Sequence, residues 1–113
     1  MSHQVTVSLY IHYYLKPGMK ETALSKLRGI IDICQREPEF ITAIIHDTPE
    51  SSNQMVLYEL WKGTKEDFDA IQGIKPYRTE FLADIVQYVE SAVIEWNTPT
   101  FEWGTDLTGT RKS

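Results

Sequence analysis

The chain has 113 residues, 42% of them hydrophobic, a formal net charge of −5 and one cysteine. That length supports one compact domain with a core that needs no disulfide or metal staple, and the lone Cys34 excludes an internal bridge and a Cys-based metal site. Lys and Arg are scattered, with Arg28, Arg36 and Arg78 far apart, which argues against the clustered basic face of a nucleic-acid-binding protein. No apolar run approaches the length needed to cross a bilayer. The opening MSHQVTVSLY has no charged region leading into an apolar core, so no signal peptide is expected. The expectation is a soluble, cytoplasmic protein.

Residues 5–15, VTVSLYIHYYL, alternate with period 2, which predicts a strand. Val5, Val7, Leu9, Ile11 and Tyr13 fall on one side, and Thr6, Ser8, Tyr10, His12 and Tyr14 on the other. Lys16-Pro17-Gly18 punctuates it. From Met19 the period becomes helical, with Leu24, Leu27, Ile31 and Cys34 on one stripe, predicting an amphipathic helix over 19–37 that Pro38 stops. Gly29 within it costs up to about 1 kcal/mol relative to Ala, for which a close helix–sheet contact is one reason. EFITAIIH (39–46) and the strand 54–62 flank a short polar loop and predict an antiparallel hairpin. Residues 64–72 open with Thr64 placed to cap and Asp67 at the reciprocal position. Gly73 and Pro76 interrupt, and 77–89 resumes with Phe81, Leu82, Ile85 and Val89 on one face. ESAVIEW (90–96) reads as a last strand. Residues 1–96 form the domain, and 97–113 a C-terminal extension, partly mobile and free to pack on a partner chain.

The order β-α-β-β-α-β is the ferredoxin-like α+β arrangement, a four-stranded antiparallel sheet with its helices on one face. An open face would alternate polar with apolar, yet Phe40 and Ile44 oppose Ile41, Ala43 and Ile45, and Val56, Tyr58 and Leu60 oppose Leu57 and Trp61. Both faces are apolar, and the chain's helices cover one. The sequence therefore predicts a homodimer in which a second copy covers the other; a monomer whose tail folds over the sheet is the competing reading.

Four segments carry a family likeness: LKPGMKE (15–21), REPEF (36–40), VLYELW (56–61) and KPYRTEFL (75–82). In order and spacing the chain, over about residues 5–96, resembles the antibiotic biosynthesis monooxygenase domain family of the dimeric α+β barrel group. The resemblance implies a homodimer with sheets packed face to face and a pocket in each protomer between sheet and helices. It leaves the reaction open, because members include monooxygenases, quinol oxidases, haem-degrading enzymes and an isomerase-type branch.

The six glycines stand apart, so there is no phosphate-cradling loop, and His3, His12 and His46 have no metal-ligand spacing. The reading is no cofactor and no metal. Many members of the family it resembles oxygenate electron-rich aromatics without either, so the resemblance implies that an electron-rich aromatic or quinone-like ligand supplies the electrons, and the protein a base, a shaped pocket and exclusion of water. His46 is the first candidate base, since imidazole titrates near neutrality; a solvent-facing strand-end histidine is the competing view. Glu59 is the second catalytic candidate, because a carboxylate inside an apolar strand must be paired, with Arg78 and Arg36 as the arginines able to reach it, or must hold its proton. Trp61 would shape the pocket or belong to the core, and Tyr77 and Leu57 complete its wall. His12, Tyr10 and Tyr58 are assigned to the dimer seam. Against the family pattern, Leu57 replaces an asparagine often found four residues before the tryptophan, and Ile71 and Tyr77 stand where histidines are usual. The helical histidine and tryptophan of haem-degrading members are missing from 64–89. The sequence thus points to a cofactor-independent monooxygenase or quinol oxidase. A non-catalytic ligand-binding or stress-response module on the same fold, or an isomerase acting on a small hydroxyketone through His46 and Glu59, are the alternatives.

Overall fold

A computed structural model describes residues 5–108. Its elements are β1 (Thr6–Leu15), α1 (Lys20–Cys34), β2 (Phe40–Asp47), β3 (Gln54–Lys62), α2 (Lys65–Ile71), α3 (Pro76–Ile85) and β4 (Val89–Asn97). The strands form one antiparallel sheet in the order β2-β3-β1-β4. This is the ferredoxin-like arrangement, with the second helical region divided in two.

The division follows from two residues. The N–H groups of Gln72 and Gly73 both donate to the Phe68 carbonyl, and a Cβ on Gly73 would lie 2.5 Å from the Asp69 carbonyl oxygen. Glycine alone leaves room for that turn. Pro76 then occupies the first turn of α3, where its missing N–H costs nothing and its fixed φ favours a helix. At the start of α2 the capping box is complete: Thr64 Oγ1 accepts from the Asp67 N–H at 3.1 Å, and Asp67 Oδ2 accepts from the Thr64 N–H at 2.9 Å. The helices end earlier than their periodicity predicts. Each runs out into tighter i→i−3 turns, Glu37 N–H to Cys34 O after α1 and Tyr88 N–H to Ile85 O after α3.

The inward row of β1 (Val7, Leu9, Tyr13, Leu15) lies beside Met55, Leu57 and Trp61 of β3. Ala23, Leu27, Ile30 and Cys34 of α1, Phe68 of α2 and Ile85 of α3 close over it. At the edge of the sheet the β2–β3 register shifts between Phe40 and Thr42. That irregularity puts Phe40 on the helix side against Trp61, whereas Ile44 stays on the other face. The simple alternation read from the sequence, which kept Phe40 and Ile44 together, is corrected by it.

The opposite face leaves Tyr10, Tyr14, Ile44 and Val93 exposed. Its far end differs: Ser8 and Leu60 are buried, and Glu102 acts on the Tyr58 phenol. The tail returns over that end, folded on itself by Glu102, which accepts hydrogen bonds from the N–H groups of Leu107 and Thr108. The expected mobility of the last residues falls partly on 109–113, outside the described residues.

Gly29 is not at a close contact: it is exposed, and an added Cβ meets nothing within 4 Å. Gly29→Ala should therefore stabilise the protein by about 0.5–1 kcal/mol, whereas Gly73→Ala should destabilise it by about 1–3 kcal/mol through overpacking. Denaturant unfolding of the two variants gives shifts of opposite sign.

Candidate functional site

Glu59 sits in the centre of β3, between Leu9 of β1 and Ala43 of β2 on the helix-facing side, and is 3% exposed. Alternation forces this, because Leu57 and Trp61 are the apolar residues that must face the helices and Glu59 lies between them. The Trp61 indole N–H donates to Glu59 Oε1 at 3.2 Å. Trp61 itself is wedged between Phe40 and Phe68, edge-on to each at centroid distances of 5.3 and 5.2 Å.

Arg78 approaches from the first turn of α3. Its guanidinium carbon lies 4.9 Å from the Phe68 ring centre and 5.9 Å from that of Trp61. One terminal nitrogen donates to Cys34 Sγ at 3.4 Å, while the buried Nε has no hydrogen-bond partner. Between Arg78 and Glu59 is a cavity of about 60 Å³. Tyr13, Cys34, Glu59 and Arg78 give it polar groups, Ile11, Leu27, Ile30, Ile31, Leu57 and Phe81 give it apolar walls, and the exposed Leu82 completes it on the outer side.

Burial dominates the electrostatics. It pushes the Glu59 carboxyl above its ordinary range, and the attraction of Arg78 and the Trp61 hydrogen bond offset it only in part. The Tyr13 phenol is held well above its usual value by burial first and by Glu59 second, against the pull of Arg78. Burial likewise raises the Cys34 thiol despite the neighbouring guanidinium, so Cys34 is a protonated wall residue and no thiolate nucleophile. The arrangement can accept a proton at Glu59 and stabilise negative charge at Arg78.

The residues named from sequence fall in different places. Glu59 and Leu57 share the cavity. Trp61 lies outside its lining, in the core, and acts by holding Glu59. Tyr77 lies outside the lining, behind Cys34, its hydroxyl 3.0 Å from Glu37 Oε1 and 3.3 Å from Gln72 Oε1, and Lys75 pairs with the same Glu37. Burial, then Cys34 and Glu37, raise the Tyr77 phenol. His46 is exposed and pairs with Val56 in the row opposite that of Glu59; at the end of β2 it borders a groove between α1 and β2 but does not line the Glu59 cavity. Tyr10, His12 and Tyr58 lie together on the open face: Tyr10 and Tyr58 have ring centres 5.0 Å apart, and His12 stacks on Tyr14 at 4.6 Å. Of the two arginines offered to Glu59, Arg78 is the one beside it. Sequence reasoning missed Arg78 as a cavity residue, although a signal existed: positions 78, 81, 82 and 85 form one helical stripe, with a lone cation among apolar residues. Among the described residues, no group of three or more His, Cys, Asp or Glu side chains could hold a metal, and no helix is long and apolar enough to cross a membrane.

No protein-family model matches the chain, and no curated protein matches it in sequence. Solved structures do resemble it. A proposed antibiotic biosynthesis monooxygenase from Chloroflexus aurantiacus superposes with a TM-score of 0.71 at 12% identity, covering 90% of this chain and 98% of its own. A variant of SnoaB, a cofactor-independent oxygenase from Streptomyces nogalater, gives 0.71 at 13% identity over 83% and 92% of the two chains. A protein from Pseudomonas aeruginosa gives 0.75 at 14% over 88% and 98%. The chain has the fold of these proteins, the first of them a proposed antibiotic biosynthesis monooxygenase, and at such identities the likeness is one of fold.

The raised Glu59 midpoint links stability to pH. A group whose midpoint rises on folding contributes stability that is complete below the ordinary carboxylate range and is lost as pH climbs through the folded midpoint. Glu59→Gln has no proton to lose and keeps a carbonyl for Trp61. It should match wild type in acid and exceed it at neutral pH, by roughly 1.4 kcal/mol for each pH unit of elevation. Denaturant unfolding of both proteins between pH 4 and 8 checks this.

Proposed function

We propose that this chain is a cofactor-independent monooxygenase or quinol oxidase acting on a small electron-rich aromatic or quinol, and that it works as a homodimer. The carrying observation is the buried Glu59 carboxyl facing Arg78 across one cavity. A carboxylate whose affinity for protons has been raised is a better base toward a phenol than one in water. Arg78, with a buried Nε that has no partner, would lower the phenol's own pKa and hold the oxyanion. With a hydroquinone, Glu59 takes the hydroxyl proton and the ring anion passes electrons to O₂. The second hydroxyl releases its proton as the quinone forms, and both protons end on peroxide, so hydroquinone plus O₂ gives quinone plus hydrogen peroxide. The fold shared with a cofactor-independent oxygenase supports this reading as analogy.

One observation favours a second reading. A cavity of about 60 Å³ is smaller than the ~150 Å³ that accepts benzene in an engineered core, which suits a non-catalytic module that binds its ligand outside this cavity. The isomerase reading has less support, since it needs His46 and Glu59 at one substrate.

Dimerisation is supported by the open sheet face, where Tyr10, Tyr14, Ile44 and Val93 meet water. Two such faces packed together would make the dimeric barrel and take these side chains out of water. A small aromatic ligand is the expected partner beside the second copy.

Oxygen uptake with a hydroquinone panel tests the chemistry. Wild type should consume O₂ and release peroxide, with a rate that rises with pH through the elevated Glu59 midpoint, since the base must be ionised. Glu59→Gln should lower kcat by roughly 10²–10⁴-fold and Arg78→Lys by about 10²-fold or more. Equal rates in wild type and Glu59→Gln overturn the assignment, and no uptake with any hydroquinone selects the binding module. Sedimentation should give a dimer at micromolar concentration and a monomer for Tyr58→Asp.

A further inference from the structure

Beside the small Glu59 cavity, along the same face of the sheet, runs an open groove of about 830 Å³ between α1 and β2. Leu24, Ile31, Ala43, Ile45 and Met55 form its apolar floor. The two voids have one residue in common, the half-buried Ile31, which lines both. Register explains why. Leu57 lies between Ile45 of β2 on the groove side and Ile11 of β1 on the cavity side, at the roughly 4.8 Å spacing of neighbouring strands. On α1, Leu24 faces the groove and Leu27 and Ile30 face the cavity. The partition between groove and carboxylate is thus Ile31 standing over Leu57.

We propose that Ile31 is the residue that decides what reaches Glu59, and that the groove seats the part of the ligand remote from the reacting ring. This rests on the reading of the Glu59–Arg78 cavity as the reaction site. A ring cannot enter a void of about 60 Å³ without a wall moving, since benzene already needs about 150 Å³. A wall able to move is one backed by an open void instead of packed core. Ile30 and Phe81 border a second void of about 410 Å³, and Leu82 is exposed, but the space behind Ile31 is the larger at about 830 Å³ and lies along the sheet face that carries Glu59. A rotation of Ile31 about χ1 joins the two spaces into a site of the size that ordinarily holds small ligands. The ligand must then be longer than one ring. The rim chemistry narrows it further: Lys20 and Arg28 stand against Glu21, Asp32 and Asp47, with His46 and Ser52 as further polar groups, and Lys20 is bound to Asp47 and to the Ser51 carbonyl. The rim presents little net charge, so the remote part of the ligand is apolar and uncharged.

The test is a binding measurement that needs no turnover, with 2-naphthol as the two-ring probe and phenol as the one-ring control. In protein carrying labelled Ile, Leu and Met methyl groups, intermolecular NOEs from 2-naphthol should reach both Leu24 and Met55 in the groove and Ile11 and Leu57 in the cavity. Phenol should bind at least about tenfold more weakly, which is roughly 1.4 kcal/mol. Ile31→Trp should abolish the Ile11 and Leu57 contacts while the Leu24 and Met55 contacts persist, and Ile31→Ala should tighten 2-naphthol binding. If Ile31→Trp disturbs the fold, the wild-type pattern on the two sides of Ile31 carries the test. Cavity contacts that survive Ile31→Trp overturn the proposal, as do contacts confined to one side in wild type, groove methyls contacted by a second copy, or no contact at all. A protein that binds 2-naphthol in this way but takes up no O₂ overturns the reaction and leaves the gate standing.

Discussion

A carboxylate buried in the middle of a sheet is the constraint on which the rest of this molecule depends. An unpaired charge there costs several kcal/mol, so the surroundings of Glu59 are arranged to lessen that cost. The Trp61 indole offers one hydrogen bond, and Phe40 and Phe68 fix the indole from either side. Arg78 brings a positive charge, steadied over the Phe68 ring and by Cys34 Sγ. Arg78 can arrive there because Gly73 and Pro76 break the second helical region and restart it at a new pitch. Elements from every layer therefore meet at one polar pair, and yet burial still dominates the carboxyl.

Much of this was legible in the chain. The period-2 strands, the helical stripe of α1, the capping box at Thr64 and the interruption at Gly73 and Pro76 each rest on local chemistry, which survives folding. Glu59 was legible as a problem requiring a solution, because its neighbours at i±2 fix the face it occupies. The solution was less so. Choosing Arg78 over Arg36 needs the direction of α3, which no local signal carries. Trp61 could be read as pocket or core, since both are apolar environments.

The face of a residue near an irregular strand end was the least legible feature. The register shift between Phe40 and Thr42 puts Phe40 against Trp61 and leaves Ile44 and His46 on the other side. A single-residue slip exchanges faces for everything beyond it, and the shift depends on how β2 meets β3, which composition does not encode. His46 thus looked like a partner for Glu59 in sequence, yet it belongs to the opposite row and borders the groove beside α1 instead of the Glu59 cavity. Fold and site also differ in what comparison can transfer: a TM-score of 0.75 at 14% identity fixes the scaffold, whereas the chemistry belongs to the particular groups set upon it.

The Trp61–Glu59 hydrogen bond has an optical meaning as well. An indole N–H bonded to a carboxyl that gains or loses its charge lies in a local electric field that changes with that proton, and indole emission responds to such fields. Trp61 is enclosed, whereas Trp103 is exposed, so a quencher dissolved in water reaches the second far more readily than the first. The emission left after such quenching is weighted toward the interior. The protein thereby carries a built-in chromophore wired to its most consequential proton, readable without any label.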